Sequence, residues 1–192
     1  KYNRTFLDGL VRESDTPVFC TYHGINLNYF DTQKKEMSCR PPYRLLTVAR
    51  LTEKKGIDVI YRALAILKQQ GIRFHHNLIG TGDDKEKIEK LREELGLENH
   101  TRLCGTMTHE EVIHFYEDSD LFILGCRIAG NGDRDGIPNV MAESMAMYLP
   151  VVATNVSGIP EFLEDRVSGF MVPPQDPEAM ADAILTALTD TE

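Results

Sequence analysis

The strongest constraint on the fold is a regular alternation of short apolar runs with amphipathic segments, which begins near residue 43. Each apolar run has the length of a strand, and the segments between them repeat apolar residues at helical spacing. This alternation predicts a parallel sheet with helices on both faces, joined by right-handed crossovers. The predicted fold class is therefore α/β with a Rossmann-like sheet. We place its strands at residues 44–49, 74–79, 101–104, 121–124, 151–154 and 169–172.

The first forty residues lack this alternation. We predict a short helix near the start of the chain and a strand at residues 17–22, which is followed by a turn at Gly24. The polar residues 31–40 form a connector to the strands and helices that follow. We therefore divide the chain into an N-terminal segment, residues 1–40, which is a remnant of an interdomain region, and an α/β domain, residues 41–192.

Composition excludes several classes of partner and cofactor. The formal net charge of −9, without any dense Lys/Arg tract, argues against a nucleic-acid-binding surface. No apolar run approaches about 18 residues, and the polar start has no signal-peptide pattern, so we expect a cytoplasmic protein. The four cysteines lack a CxxC pair and the six histidines lack metal-ligand spacing. We therefore expect free thiols, no bound metal and no catalytic histidine.

The loops at the carboxyl ends of the strands are the expected ligand-binding elements, because parallel sheets bind ligands beyond those ends. Arg50 and Lys55 flank the first strand-to-helix turn, and Gly56 lets the backbone approach a ligand closely. Two cations beside a helix N-terminus predict an anion site, most plausibly for a diphosphate. The alternative, which this loop alone favours, is a solvated pair in a Lys/Glu-rich loop.

Two glycine-containing turns add backbone groups to the same edge. The first resembles part of a dinucleotide-binding fingerprint, but Lys85 replaces the third glycine. The second either offers backbone N–H and C=O groups to a flat base or is an ordinary turn. These turns contribute the candidates Gly80, Gly82, Gly105, Thr106 and Met107.

A carboxylate in a loop, Asp135, precedes a second one on a helix, Glu143. Pro138 marks the helix start. The carboxyls are expected to stand about 10–15 Å apart, which suits the two ends of an elongated polar ligand with a phosphate at the helix N-terminus. That spacing is too wide for two carboxylates that flank one glycosidic bond. The alternative is a solvated helix face formed by Asn139 and Glu143.

Eight short motifs follow one another along the chain: Val48-Ala49-Arg50-Leu51, Lys55-Gly56-Ile57-Asp58, Gly80-Thr81-Gly82, Gly105-Thr106, Asp135-Gly136-Ile137-Pro138-Asn139, Glu143-Ser144-Met145-Ala146, Pro150-Val151-Val152-Ala153-Thr154 and Gly158-Ile159-Pro160-Glu161. In this order and spacing they resemble the nucleotide-sugar-binding domain of retaining glycosyltransferases of family four. That family has the GT-B fold, of which this domain is one half. The resemblance covers roughly residues 43–192, and residues 23–26 are similar to the segment that enters the domain.

The resemblance implies a role for each matched residue. Arg50 and Lys55 would hold the donor diphosphate and stabilise its charge as it departs, without proton transfer or a metal. Asp135 would contact hydroxyls of the transferred sugar, and Glu143 would accept hydrogen bonds from the nucleotide ribose. The implied catalytic residues are thus Arg50, Lys55 and Asp135. The implied donor-binding residues are Gly80, Gly82, Gly105, Thr106, Met107, Gly136, Ile137, Pro138, Asn139 and Glu143.

Three positions depart from the family pattern. Asp135 stands where Glu is normal, so the reach of this carboxylate is one methylene shorter. Gly125-Cys126 stands where Pro-Ser is frequent, and Ser144 stands where Ala is usual. These departures bear on which sugar is carried, while the nucleotide-sugar class stays the expectation.

Enzymes of that family place the active site between two domains, of which this chain matches the second. The partners implied are a nucleotide-sugar and an N-terminal acceptor domain absent from this chain, so the chain alone should transfer sugar poorly or not at all. The full-length enzyme would transfer a sugar, with retention, to a glycan, a lipid-linked sugar or a small molecule, through peripheral association at the inner face of the membrane. The rivals are a nucleotide-sugar epimerase, a phosphorylase of the same build, and a non-catalytic nucleotide-binding module.

Overall fold

The computed structural model describes residues 2–11, 17–22, 24–30 and 40–189, without the side chains of residues 2, 3 and 6. Six parallel strands form one sheet in the order β3-β2-β1-β4-β5-β6. The strands are β1 (Tyr43–Val48), β2 (Phe74–Ile79), β3 (Thr101–Gly105), β4 (Leu121–Leu124), β5 (Val151–Thr154) and β6 (Phe170–Val172). The helices are α1 (Tyr2–Leu10), α2 (Ile57–Gln69), α3 (Lys85–Glu94), α4 (His109–Asp118), α5 (Asn139–Ala146) and α6 (Pro177–Thr189), with short 3₁₀ turns at Leu27–Tyr29, Glu53–Lys55 and Ile159–Glu161.

The two faces of the sheet are covered by different helices, as the sequence predicts. Adjacent residues of a strand point to opposite faces, and Leu45 and Leu46 on β1 illustrate this. Leu45 belongs to a core shared with α2, α3 and α6, whereas Leu46 belongs to a core shared with α4 and α5. Strands β4 and β5 are buried along their whole length. The predicted α/β class with a Rossmann-like parallel sheet is therefore confirmed.

Local signals in the sequence fix several helix ends. Thr108 and Glu111 form a capping box at the start of α4, with the Glu111 carboxylate accepting from the Thr108 backbone N–H at 2.7 Å. The Asp176 carboxylate accepts from the backbone N–H of Ala179 at 2.9 Å and so caps α6. Helix α5 begins at Asn139 with Pro138 as its N-cap, which confirms the predicted start.

The strand order reverses between β1 and β4, which places a crevice at their carboxyl ends. Here the turn before α2 packs directly on the end of β4. Gly56 has a φ of +58°, and a side chain at Gly56 would collide with the backbone oxygen of Gly125. A side chain at Gly125 would in turn meet the Gly56 oxygen. The close approach that we expected between Gly56 and a ligand is therefore an approach between Gly56 and the Gly125 backbone.

At the opposite, amino-terminal edge, where the strands begin, an ion pair with a buried carboxylate joins two strands. The Asp120 side chain is 0% exposed and accepts from the backbone N–H of Arg44 at 2.7 Å and from the Arg44 Nη2 at 3.1 Å. The Asp120 backbone N–H donates to the Arg44 carbonyl at 2.7 Å. These bonds fasten the start of β1 to the start of β4.

A buried histidine lies within the sheet. His76 on β2 is buried, and its Nε2 lies 3.0 Å from the hydroxyl of Thr47, which itself donates to the Ile123 carbonyl at 2.9 Å. His76 therefore donates through Nε2. Burial lowers the pKa of His76 to about 3, so this ring is neutral at physiological pH.

The N-terminal segment departs from the prediction in one element. Residues 17–22 pair with no strand among the described residues, so the predicted strand is wrong. Its apolar pattern suggested burial, yet Phe19 is 82% exposed because no described element covers it. The Tyr22 hydroxyl donates to Glu161 at 2.7 Å and joins this segment to the domain. His23 and the connector at residues 31–39 lie outside the described residues.

Candidate functional site

A cleft of about 570 Å³ opens at the carboxyl edge of the sheet, beside the point where the strand order reverses. It is bounded by the ends of β1 and β2, by the turn after β3 and by the start of α5. Most of the residues that the sequence singles out as site candidates line it. Those residues are Arg50, Lys55, Gly80, Thr106, Met107, Asp135, Gly136, Ile137, Pro138 and Asn139.

Lys55 and Asp135, which are 80 positions apart in the chain, form an ion pair in this cleft. The Lys55 Nζ lies 2.7 Å from the Asp135 Oδ2, and their side chains are 14% and 18% exposed. Lys55 ends the 3₁₀ turn between β1 and α2, while Asp135 lies in the last part of the long loop between β4 and α5. The reversal of strand order brings these two connections together. Lys55, the predicted diphosphate-binding cation, and Asp135, the predicted sugar-binding carboxylate, are therefore in direct contact with each other.

Lys54, which has no predicted role, contacts the same loop between β4 and α5. We call this loop, residues 125–138, the acidic loop because it carries Asp133 and Asp135. The Lys54 Nζ lies 3.1 Å from Asp133 and 3.6 Å from Asp135. The pKa of Lys54 is raised, first by the hydrogen bond to Asp133 and also by the charge of Asp135. Lys54 lowers the pKa of the Asp133 carboxyl in return, and the charge of Arg50 adds to that effect. Exposed Arg50 and half-buried Lys55 thus form a positive rim on the cleft, whereas Lys54, which also lines it, is paired with the two acids.

The loop that carries Asp135 is fastened to the same turn by backbone and side-chain bonds. The Arg127 backbone N–H donates to the Lys54 carbonyl at 2.8 Å, and the Gly130 N–H donates to the Glu53 carboxylate at 3.0 Å. The Arg127 guanidinium pairs with Asp58 on α2 at 2.9 Å. Although this loop is long, its start and middle are anchored.

Cys126 is a buried residue at the start of the acidic loop, next to the Lys55–Asp135 ion pair. Its carbonyl accepts from the Thr154 hydroxyl at the end of β5, and its Sγ lies 3.7 Å from Asp135 Oδ2. Burial raises the pKa of the Cys126 thiol to about 12. The thiol is therefore a small packing group here and not a nucleophile.

The N-terminus of α5 faces the cleft with its first backbone N–H groups. Pro138 forms no side-chain cap, and Asn139 and Val140 line the cleft. The first N–H groups of a helix have no partner within the helix and carry the positive end of its dipole. This end of α5 therefore complements the lysines as a place for an anion.

Glu143 lies one turn further along α5, does not line the cleft, and is not on a solvated face. Its side chain is 16% exposed, and its Oε2 accepts from the Tyr116 hydroxyl at 3.1 Å. Its Oε1 lies 3.9 Å from His109 Nε2. Burial raises the pKa of Tyr116, and so does the neighbouring carboxylate, so the tyrosine stays a donor. The solvated-face alternative is therefore wrong for Glu143, although it holds for exposed Asn139.

The three glycines of the two predicted turns differ in what they do. Gly80 lines the cleft and donates its N–H to the Gly105 carbonyl at 2.8 Å. Gly82 packs on Leu51, where a side chain would meet the Leu51 backbone. Neither Gly82 nor Gly105 lines the cleft. Both glycines shape the turns, so any role in ligand contact stays a prediction.

Four residues without a predicted role contact predicted site residues, line the cleft or pair with Lys54: His109, Tyr116, Asp133 and Lys54, of which only Lys54 lines the cleft. Lys54 had a visible signal, since it is adjacent to Lys55 in the sequence. The other three sit in ordinary helix or loop positions, and only the packing of α4 against α5 and of the loop against the turn selects them. Among the described residues, no group of three His, Cys, Asp or Glu side chains is arranged to hold a metal. No helix in the described part of the chain has the length and apolar content to cross a bilayer.

Two further grooves of similar volume lack this convergence. One, of about 670 Å³, lies between α2, α3 and the loop after β4, and charges of both signs line it. The other, of about 690 Å³, lies between the N-terminal segment and α5. The cleft at the carboxyl edge is the best candidate because it combines clustered cations, a helix N-terminus and a carboxylate.

Comparisons with known proteins agree with this architecture. The family model for glycosyl transferases group 1 matches residues 30–192. The amylovoran biosynthesis glycosyltransferase AmsK of Erwinia amylovora is 40% identical over 172 residues, which are 90% of this chain and 42% of that protein. The chain thus spans less than half the length of this relative.

Two solved structures have the same fold. A mutant of S. aureus TarM, crystallised with fondaparinux, alpha-GlcNAc-glycerol and UDP, superposes with a TM-score of 0.78 at 22% identity, over 95% of this chain and 35% of that chain. The C-terminal domain of LpcC, a glycosyl transferase group 1 family protein from Francisella tularensis, superposes with a TM-score of 0.73 at 20% identity. That match covers 88% of this chain and 89% of the LpcC chain.

Proposed function

The chain belongs to the group 1 glycosyl transferases, and we propose that it is the donor-binding domain of a retaining enzyme that transfers a sugar from a nucleotide-sugar. The observation that carries this proposal is the Lys55–Asp135 ion pair, in a cleft that also holds Arg50 and the N-terminus of α5. Two cations and free helix N–H groups suit a diphosphate. An adjacent carboxylate suits sugar hydroxyls.

In this proposal the donor lies across the cleft with its diphosphate at the positive rim. Arg50, Lys55 and the first N–H groups of α5 stabilise the negative charge that grows on the departing diphosphate. This stabilisation is electrostatic, so it needs neither a protonated acid nor a metal. Metal independence is part of the proposal.

The two carboxylates of the site take different parts of the donor. Asp135 accepts hydrogen bonds from hydroxyls of the transferred sugar, and Glu143 accepts them from the ribose. Tyr116 holds Glu143 in place by its hydroxyl, which leaves the other carboxylate oxygen, near His109, for the nucleotide. Gly80, Gly82, Gly105, Thr106 and Met107 shape the wall on the side of the base.

The acceptor half of the enzyme would lie outside these residues. AmsK is named for amylovoran biosynthesis, and TarM was crystallised with UDP, so a uridine nucleotide-sugar used for polysaccharide synthesis is the first donor to test. We expect the enzyme to work in the cytoplasm, at the inner face of the membrane. The domain alone should bind the donor and transfer little or no sugar.

Calorimetry tests the proposal on the 192-residue chain. UDP, GDP and ADP are titrated separately, each followed by its glucose-bearing counterpart. We expect one nucleotide to bind, and Arg50→Met to weaken that binding about tenfold, or about 1.4 kcal/mol, because a charged hydrogen bond to phosphate is lost. Arg62→Met is the matched control, since Arg62 is exposed on α2.

The outcomes separate the candidate functions. Binding of one nucleotide that depends on Arg50 but not on Arg62 supports the donor-binding role. Failure to bind any of the three nucleotides contradicts it and favours an interaction module without a ligand. Release of free sugar epimers by the full-length enzyme without an acceptor would point to an epimerase.

A further inference from the structure

We infer that Lys54 is a positioning residue, which keeps Asp135 in place when Lys55 turns from that carboxylate to the donor diphosphate. This inference rests on the proposed function and extends it to a residue with no assigned role. It starts from a conflict inside the site: Lys55 is needed by the diphosphate but already pairs with Asp135 at 2.7 Å.

The contacts of Lys54 and Lys55 on Asp135 are divided between its two oxygens. Lys55 lies on Oδ2, whereas Lys54 lies 3.6 Å from Oδ1. At 3.6 Å the Lys54 contact is electrostatic and too long for a hydrogen bond. When Lys55 shifts toward the diphosphate, Oδ1 therefore keeps a cation close by. Oδ2, which keeps the Cys126 thiol at 3.7 Å, loses its lysine and becomes the oxygen that faces sugar hydroxyls.

Asp133 holds Lys54 in this bridging position. The Lys54 Nζ donates to Asp133 Oδ1 at 3.2 Å and lies 3.1 Å from its Oδ2. The Lys54 side chain is only 20% exposed, so its ammonium is restrained near both acids. Its own backbone carbonyl accepts from Arg127, so the main chain of Lys54 is tied to the same loop. Both the ammonium and the backbone carbonyl of Lys54 are therefore bonded to the acidic loop.

Charge balance explains why a second lysine is needed. Without a donor, two lysines face two aspartates, so these four side chains carry no net charge and Arg50 supplies the net positive charge beside them. When the diphosphate takes Lys55, Asp133 and Asp135 are left as two like charges near each other. Lys54 between them offsets that repulsion, because nearby opposite charge favours the ionised form of a carboxyl. Without Lys54, Asp135 would move away from the position in which it meets the sugar hydroxyls.

The test separates sugar contacts from nucleotide contacts by calorimetry on the same chain. Lys54→Met removes the charge and keeps a similar volume, and Lys54→Arg restores the charge. UDP, GDP and ADP are each compared with the glucose-bearing counterpart. We expect Lys54→Met to change the affinity for the bare nucleotide by less than about twofold. The ratio of the nucleotide-sugar affinity to the bare-nucleotide affinity should fall about tenfold. Lys54→Arg should recover most of that loss.

A matched control is available on α3. Lys87 also pairs with an aspartate, Asp84, at 2.6 Å, and that carboxylate raises the pKa of Lys87 as Asp133 raises the pKa of Lys54. Lys87 lies outside the cleft, so Lys87→Met should leave both affinities unchanged. Equal melting temperatures for all variants show that the fold is intact.

A second readout needs no donor. Carboxyl NMR titration should show the pKa of Asp133 rising in Lys54→Met and staying low in Lys87→Met. If it does not rise, the bridging contact itself is absent and the inference is overturned.

The outcomes distinguish this inference from the proposed function. A wild-type chain that binds no nucleotide overturns the proposed function, and the role of Lys54 falls with it. Nucleotide binding in the wild type together with an unchanged sugar contribution in Lys54→Met overturns only the role of Lys54. An equal loss of affinity for bare nucleotide and nucleotide-sugar would also overturn it, since Lys54 would then act on the diphosphate.

Discussion

Ion pairs lie at both ends of the parallel strands: at the amino edge, where the strands begin, and at the carboxyl edge, where they end. The two pairs differ in burial and in what holds the carboxylate. At the amino edge, Asp120 is fully buried and is held by the backbone and guanidinium of Arg44. At the carboxyl edge, Asp135 keeps 18% exposure and pairs with two lysines from the neighbouring turn. The first pair joins two strand starts, whereas the second faces an open cleft.

The difference teaches which charges stabilise the fold and which are available for chemistry. A carboxylate whose bonds are satisfied by backbone and guanidinium cannot change partners without unfolding its surroundings. A lysine that is ion-paired at the rim of a cleft can exchange its partner, because its ammonium is on a flexible stem and water or a ligand can replace the acid. Substitutions at the amino edge should therefore reduce stability, and substitutions at the carboxyl edge should reduce function.

The largest expected effect is at the amino edge. Asp120→Ala removes a fully buried acceptor and leaves the Arg44 backbone N–H without its partner, so the free energy of unfolding should fall by about 3 kcal/mol. Urea denaturation measures this loss. Nucleotide affinity of the folded variant should stay within about twofold, since the cleft is at the other edge. A stable Asp120→Ala chain that no longer binds nucleotide would contradict the division into two edges.

At the carboxyl edge the expected effect is on rate. Lys55→Ala in the full-length enzyme should lower kcat about 10²-fold, because a cation that stabilises the departing diphosphate is lost. The melting temperature should fall less than in Asp120→Ala. Lys90→Ala, which removes a lysine ion-paired on exposed α3, is the control. Unchanged kinetics for Lys55→Ala would remove Lys55 from the mechanism.

The pH dependence of the free energy of unfolding extends the comparison to the interior of the sheet, where His76 is buried. The folded-state pKa of His76 is about 3, below its ordinary value of 6.5, so between these values the unfolded chain binds a proton that the folded chain excludes. The free energy of unfolding therefore falls as the pH falls through this window. From pH 7 to pH 5 the contribution of His76 is about 2 kcal/mol.

Denaturation of His76→Gln at both pH values isolates this contribution. The variant should lose about 2 kcal/mol of the pH dependence of the wild type. His114→Gln is the control: His114 is exposed, and Glu117 raises its pKa, so it should leave the loss of stability at pH 5 in place. An identical pH dependence in His76→Gln and wild type would show that the folded-state pKa of His76 lies close to its ordinary value.

The smallest expected effect concerns Glu143. Glu143→Gln keeps an oxygen for the Tyr116 hydroxyl but lacks the charge and one acceptor, so nucleotide affinity should fall about tenfold, or about 1.4 kcal/mol. Calorimetry with the nucleotide that the wild type binds measures it. Glu117→Gln, which alters a carboxylate paired with His114, is the matched control. Equal affinities for Glu143→Gln and wild type would leave Glu143 with a structural role only.

Much of the fold was predictable because its signals are local. Strands such as Leu121–Leu124 are apolar runs, and helix starts such as Thr108 and Pro138 carry their own capping chemistry. The strand predicted at residues 17–22 failed because an apolar run of strand length does not determine whether a sheet edge is available to pair with it. Phe19 has the composition of a core residue and is exposed.

The candidate site was predictable in part for a different reason. Arg50, Lys55 and Asp135 stand at the ends of strands, and a parallel sheet brings such ends to one edge. Lys54 and Asp133 could not be selected in this way, since a lysine in a charged loop is usually solvated. Only the packing of the loop after β4 on the turn before α2 puts them in contact.

The amino-acid sequence by itself determined the α/β class, the approximate positions of the six strands of the sheet and the family, because periodicity, capping and motif order are encoded over short distances. Tertiary structure alone decided which charges meet. The Gly56–Gly125 contact brings the turn before α2 against the end of β4, and the Lys55–Asp135 pair forms there. The partner of a side chain depends on this packing between distant segments, which neither segment specifies alone.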